Sequence, residues 1–182
     1  MCGLNHRRLI FLDESAVNTA MSPRHGRAPR GERVVDHVPR GYGEQTSIVG
    51  ALSFGRGLIA VMTLTGAVDT LAFDAYLARV LGPRLRKGDV VVLDNLNIHK
   101  ASQVGEVAAG RGARVVWLAP YSPDFSPIEQ CWSKIKTCLR AAKARTREEL
   151  ERALARAICQ VTRSDIRGWF THGGYLPDHQ SS

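Results

Sequence analysis

The apolar positions of this chain change their rhythm about halfway along. Residues 7–15, RRLIFLDES, form a short run of strand formers that ends in two acids, and predict a buried strand. TSIVGALSF and GLIAVMTLTG flank Gly55-Arg56, the signature of two antiparallel strands joined by a hairpin turn. In LAFDAYLARVLGPRL, residues 71–85, Leu71, Phe73, Leu77, Val80 and Leu81 approximate one face of a helix. Then the style shifts. DVVVLDN (89–95) is a continuous β-branched run, typical of a strand covered on both faces, and ARVVWLAP (113–120) predicts a second buried strand. A helix is expected between them, over roughly 100–110. Helices at about 127–143 and 147–162, with a short helical piece near 164–171, close the chain. The segment 22–43 is rich in Pro, Gly and Arg and reads as a long basic loop, with a short strand at Val34–Val35. An antiparallel start followed by strand–helix alternation predicts a mixed α/β sheet in a single domain spanning 1–182.

Composition adds one fact to this picture. Lys and Arg total 25 against 17 for Asp and Glu, a formal net charge of +8 that favours a polyanionic partner, nucleic acid above all. The alternative is a surface that is basic only for solubility. The four cysteines, at 2, 131, 138 and 159, form no CxxC pair, and Cys131 and Cys138 lie two helical turns apart, as in ordinary helix packing. No apolar stretch is long and unbroken enough to span a membrane, and no signal peptide precedes the first strand, so a cytoplasmic protein without a membrane partner is expected.

Candidate chemistry lies at the ends of elements. Asp13 and Asp94 both stand where an apolar strand runs out, the place where open α/β sheets gather their ligand sites. Each alone reads equally as a turn or cap acid. Glu129 has its own ordinary explanation: Ser126-Pro127-Ile128-Glu129 fits the S-x-x-E capping box, with Pro at the first helical position. A glutamate at a helix start packed beside a strand end can instead turn toward that end. Three converging carboxylates repel one another, and hard divalent cations relieve the repulsion; Mg²⁺ in particular suits a few carboxylates from separate elements.

FLDES, VVVLDNLNIHK and PYSPDFSPIEQCWSKIK resemble the three signature blocks of DDE transposases of the mariner superfamily, and most of all its bacterial insertion-sequence branch. The blocks come in order, 34 residues separate Asp94 from Glu129, as in that superfamily, and GRAPRGERV resembles the matching basic stretch. The similarity runs from about residue 8 to 175. One departure is visible: Ser126 stands where the family usually has Asn, and Ser caps a helix comparably.

The resemblance implies a ribonuclease H-like fold, two Mg²⁺ or Mn²⁺ ions, and DNA cleavage followed by strand transfer. It makes Asp13, Asp94 and Glu129 the metal-binding catalytic triad and leaves Asn95 and His99, in the second block, as candidates for the surrounding shell. Glu14 and Asp124 are neighbouring acids outside the pattern; adjacent strand residues face opposite ways, so Glu14 cannot share a face with Asp13. Arg24, Arg27, Arg30 and Arg33 in the loop, and Lys134, Lys136, Arg140 and Lys143 in the helix after Glu129, are the candidate DNA contacts. Transposon ends and target DNA are the implied partners, within an active homodimer. The helix-turn-helix region of full-length relatives has no place before the first strand, so a separately encoded half is a further expected partner. Two other readings use the same residues: a ribonuclease H-like nuclease that cuts without joining, and an inactive DNA-binding remnant.

Overall fold

The computed structural model describes residues 5–41, 43–95, 103–119 and 123–176. Five strands form one sheet: β1 (Leu9–Asn18), β2 (Gln45–Ser53), β3 (Gly57–Thr65), β4 (Val90–Leu93) and β5 (Arg114–Trp117), in the order β3-β2-β1-β4-β5. β1, β2 and β3 are antiparallel neighbours, whereas β4 pairs parallel with β1 and β5 parallel with β4. The change of sequence style after residue 85 is therefore the change from hairpin to crossover connections, which bring helices onto the sheet. The helices are α1 (Thr70–Tyr76), α2 (Val104–Ala109), α3 (Pro127–Ala142), α4 (Arg147–Cys159) and α5 (Arg163–His172).

The twofold alternation of the strands sorts the core into two layers. Leu9, Phe11, Ile48, Leu52, Val90 and Val92 face α3, α4 and α5, meeting Trp132, Ile135, Leu154 and Phe170. Ile10, Leu12, Val49, Ala51, Val91 and Leu93 face the other way, onto Phe73, Tyr76, Leu77 and Val104. β1 and β4 are buried on both faces, as their unbroken apolar runs anticipate.

Three expectations need correction. Val34 and Val35 are 50% and 82% exposed and belong to no strand, because no neighbouring strand offers them a partner. β5 is a half-exposed edge strand rather than a buried one: Trp117 is 39% exposed, and an open apolar groove lies over β4 and β5 between Val92, Val116, Leu118, Phe125 and Tyr175. The helix of 71–85 is α1 followed by a π-helical turn at Leu77–Leu81 and a 3₁₀ turn at Gly82–Arg84, so its apolar stripe does not continue at one period. Leu71, in its first turn, is 79% exposed. Among the described residues, no helix is long and apolar enough to cross a membrane.

Candidate active site

The parallel pairing of β1 and β4 matches Phe11 with Val92. Asp13 and Asp94 each stand two residues further on, at the same side-chain parity, so both belong to the sheet face covered by α3. Glu14 falls on the opposite face, near Tyr76 of α1, whose phenol burial pushes up; Arg84 opposes that rise and the Glu14 charge adds to it. The end of β4 is fastened to β5: the Leu118 amide donates to the Leu93 carbonyl (2.9 Å), and Asn95 Nδ2 donates to the Leu118 carbonyl. Asn95 thus ties the residue next to Asp94 to Leu118, just past β5. His99 lies outside the described residues.

Asp13 is the electrostatic centre of the group. Burial first, then the Glu129 carboxylate, with further contributions from Asp94 and Glu14, push its carboxyl up to about 7; a hydrogen bond with the Glu14 backbone acts the other way. Its Oδ2 accepts a hydrogen bond from the indole Nε1 of Trp132 at 3.0 Å. Trp132 is 2% exposed and packs against the sheet at Gly50 of β2, directly opposite Asp13. A Cβ at Gly50 would come within 2.5 Å of the indole ring, so only glycine lets the ring reach the carboxylate. Neither Trp132 nor Gly50 stood out in the sequence. The available signal was spacing, since Trp132 is one helical turn after Glu129 and shares its side of the helix.

Glu129 enters from the first turn of α3. Pro127 holds the first helical position, and Ser126 has the extended backbone of an N-cap (φ −111°, ψ 96°), but its side chain makes no cap hydrogen bond. The expected capping box is therefore not formed. The Glu129 amide takes the Ser126 backbone carbonyl instead, at 3.0 Å, and the Glu129 side chain stays exposed, near enough to Asp13 to shift it. Complete capping boxes occur elsewhere, at Thr146–Glu149 and Thr162–Asp165. Asp124 sits exposed in the 3₁₀ turn Pro123–Phe125.

Three carboxylates from β1, the end of β4 and the start of α3 therefore share one electrostatic neighbourhood. They are hard oxygen donors, the type Mg²⁺ and Mn²⁺ take. Among the described residues no three His, Cys, Asp or Glu side chains are drawn close enough to hold a metal ion. The two observations agree, because Coulomb coupling in a half-buried site reaches several ångströms beyond a metal–oxygen bond of about 2.1 Å. The donor set fits such a cation.

The basic candidates divide into two groups. Lys134 is ion-paired with Asp165 of α5, and Lys143 with Asp36 at 2.6 Å, so both are committed within the chain. Lys136 and Arg140 instead continue the stripe of α3 that starts at Glu129, at seven and eleven residues on. Partial burial and then the Arg24 guanidinium hold Arg140 below its usual pKa, which places the loop arginine near the helix. Arg24, Arg27, Arg30 and Arg33 are all exposed. Arg145, expected from the sequence among the phosphate contacts after Glu129, instead anchors the loop: its guanidinium donates to the carbonyls of Thr19 (3.1 Å) and Met21 (2.9 Å) and to Ser22 Oγ (2.9 Å).

Residues 8–151 match the sequence model of the family described as DDE superfamily endonuclease. The chain belongs to that family. No curated protein matches the sequence. Among solved structures, this DDE endonuclease chain is similar to the Mos1 mariner paired-end complex with Mn, with a TM-score of 0.70 at 19% identity over 94% of this chain and 54% of that one. It is similar also to the Mos1 transposase catalytic domain with raltegravir and Mn, with a TM-score of 0.69 at 16% identity over 94% of this chain and 80% of that one. The pre-cleavage Mos1 transpososome gives a TM-score of 0.67 at 17% identity, over 93% and 54%. The likeness confirms the mixed, ribonuclease H-like sheet flanked by helices. The chain spans about half the length of the first of these relatives.

Proposed function

We propose that this chain is the catalytic domain of a transposase that cleaves DNA with divalent metal and transfers the cut strand, acting in the cytoplasm on an insertion sequence. The observation that carries the proposal is the Asp13 carboxyl, pushed up to about 7 by burial and by two acids from different elements. A half-buried carboxylate beside two others is unfavourable for folding alone and favourable for holding cations. Asp13, Asp94 and Glu129 would hold two Mg²⁺ or Mn²⁺ ions, as the family membership and the Mg- and Mn-containing Mos1 structures support. Bound there, the ions supply charge stabilisation at the attacking and leaving oxygens of a phosphodiester displacement.

The chain's own groups do the rest. Trp132 fixes one oxygen of Asp13 and turns the carboxylate toward its neighbours. Asn95, beside Asp94, is fastened to the Leu118 carbonyl just past β5. Lys136, Arg140 and the loop arginines line a route for phosphates from Glu129 toward residue 24, which positions a strand without reading its bases. Transposon ends and target DNA are the proposed partners, within a homodimer; base-specific reading of the ends is assigned to a separate helix-turn-helix half.

Incubating a labelled duplex with the purified chain and Mn²⁺ tests this reading. Nicking should appear with wild type and vanish in Asp13→Asn, Asp94→Asn and Glu129→Gln. Offering pre-cut ends with a free 3′-hydroxyl then separates the two enzyme readings. Joined products support strand transfer, whereas nicking without joining supports a hydrolytic nuclease.

A further inference from the structure

The pole of the sheet opposite the acids carries an unassigned feature. Four connections meet there: the turn His6–Arg8 leading into β1, the β2–β3 hairpin turn, the segment 82–89 entering β4, and 110–113 entering β5. Arg7 and Arg8 come from the first and Arg56 from the second. The third brings Arg84, Arg86 and Lys87; Arg111 and, at the first position of β5, Arg114 complete the row.

These turns are stitched into one surface. Arg8 donates to the Lys87 carbonyl (3.1 Å), Arg56 to the Arg84 carbonyl (2.8 Å), and the Gly88 amide to the Gly112 carbonyl (2.8 Å). His6 packs edge-on against Phe54 at 4.9 Å, tying the first turn to the hairpin. The single acid on these segments, Asp89, is 1% exposed, and its Oδ2 is taken by Arg56 (2.7 Å) and the Arg86 amide (2.8 Å). Arg7, Arg86, Lys87, Arg111 and Arg114 are exposed and make no ion pair among the described residues. Like charges held together without exposed counter-charge repel, and an external polyanion relieves that repulsion. The row crosses the bottom of the sheet from the hairpin to β5, roughly 15–20 Å at about 4.8 Å per strand. Duplex DNA presents on the order of ten phosphate charges over that length.

We propose that this pole is a second DNA-binding surface, carrying a duplex segment other than the one in the active site. The proposal rests on the reading of DNA as substrate. Asp13 is five steps along β1 from Arg8, roughly 17 Å, so the sheet itself stands between the two segments. Backbone phosphates are the ligand, without base readout. The surface would hold a duplex segment away from the reacting phosphate while the acids act on an end.

The test uses the full chain in EDTA, so that binding is read apart from cleavage. Two duplexes, one with a donor dye and one with an acceptor, report by energy transfer whether one protein particle bridges them. Wild type should bridge. A variant with Arg7, Arg86, Lys87, Arg111 and Arg114 replaced by Ala should melt within a degree or two of wild type and lose at least about five-fold of the bridging signal. Its slope of log K against log salt should fall by up to about 4. With Mn²⁺ added, it should still nick a single duplex as wild type does. Failure of nicking in both proteins would count against the proposed function alone. Bridging that persists in the variant with an unchanged slope, or no bridging by wild type, would overturn the second surface. Displacement of the second duplex by poly-glutamate at equal charge concentration would overturn it too, marking the pole as a docking face for acidic protein.

Discussion

Two helix starts in this chain share one spacing, a hydroxyl residue followed three positions later by an acid, and do different things. At Thr162–Asp165 the box closes: the Asp165 amide donates to Thr162 Oγ1 (3.1 Å) and the Thr162 amide to Asp165 Oδ2 (2.8 Å). Lys134 and Thr162 then hold the Asp165 carboxyl well below its usual range, at about 2. At Ser126–Glu129 the same spacing leaves the serine without a side-chain cap bond and the glutamate exposed, acting on Asp13. At Asp165 the local motif closes even with Lys134 on the same carboxylate oxygen. Where the helix is packed against a strand bearing another carboxylate, the acid is left free of local bonding and open to the site. The Thr146–Glu149 box, on a helix start without such a neighbour, closes as the Thr162 one does.

The largest expected effect separates the two kinds of start by activity. Glu129→Gln should lower Mn²⁺-dependent nicking by about a thousand-fold, since a metal's charge stabilisation is worth several kcal/mol, with little change in melting temperature. Glu149→Gln should leave nicking intact. If Glu129→Gln nicked normally but melted early, the two starts would be alike after all.

A second, smaller effect sharpens the contrast through pH. Below about pH 4 the Asp13 carboxyl is protonated in both the folded and the unfolded chain. Between its ordinary value and about 7 the unfolded chain releases the proton first, so the stability associated with Asp13 is lost as pH rises through that window. In metal-free buffer Asp13→Asn should therefore melt above wild type at pH 8, by up to a few kcal/mol, with the gap closing toward pH 4. Asp165 runs the opposite way, its contribution being lost as pH falls from about 4 to about 2. Calorimetry of Asp13→Asn and Asp165→Asn across pH checks the signs; a constant Asp13→Asn gap would remove the electrostatic argument.

Metal addition comes next. Millimolar Mn²⁺ should raise the melting temperature of wild type by mass action, by about 2 kcal/mol if the concentration is some thirty times Kd. Asp94→Asn should lose most of that shift. An unchanged melting curve for wild type would show that the acids do not gather around a cation.

The smallest effect tests the caps themselves. Thr146→Ala and Thr162→Ala should each cost about 1 kcal/mol by chemical denaturation, whereas Ser126→Ala should cost only a few tenths. Equal costs at the three positions would mean that Ser126 caps its helix in solution.

The elements of the sheet were legible because their signals are local. The β-branched run at 89–95, the turn at Gly55-Arg56 and the 3.6-residue stripe of α3 each need only neighbours in sequence. The acids could be picked out by position, and the family resemblance supplied their order. Misreadings arose where the outcome depends on what lies across space. Val34–Val35 has strand propensity and no partner strand, and ARVVWLAP has a buried strand's composition at a sheet edge that no helix fully covers. The sequence alone determined where most strands and helices lie and which acids are candidates for the site, but not that β1 runs on to Asn18 and leaves Asp13 in mid-strand rather than at the strand's end. Only the tertiary structure decided that Gly50 leaves room for Trp132 to reach Asp13, that Lys134 and Lys143 are spent on ion pairs, and that Glu129 faces a carboxylate rather than its own cap. The physical reason is range: propensity and periodicity act over a few residues of chain. Burial, charge coupling and close approach act over a few ångströms of space, between residues as far apart in sequence as Asp13 and Trp132.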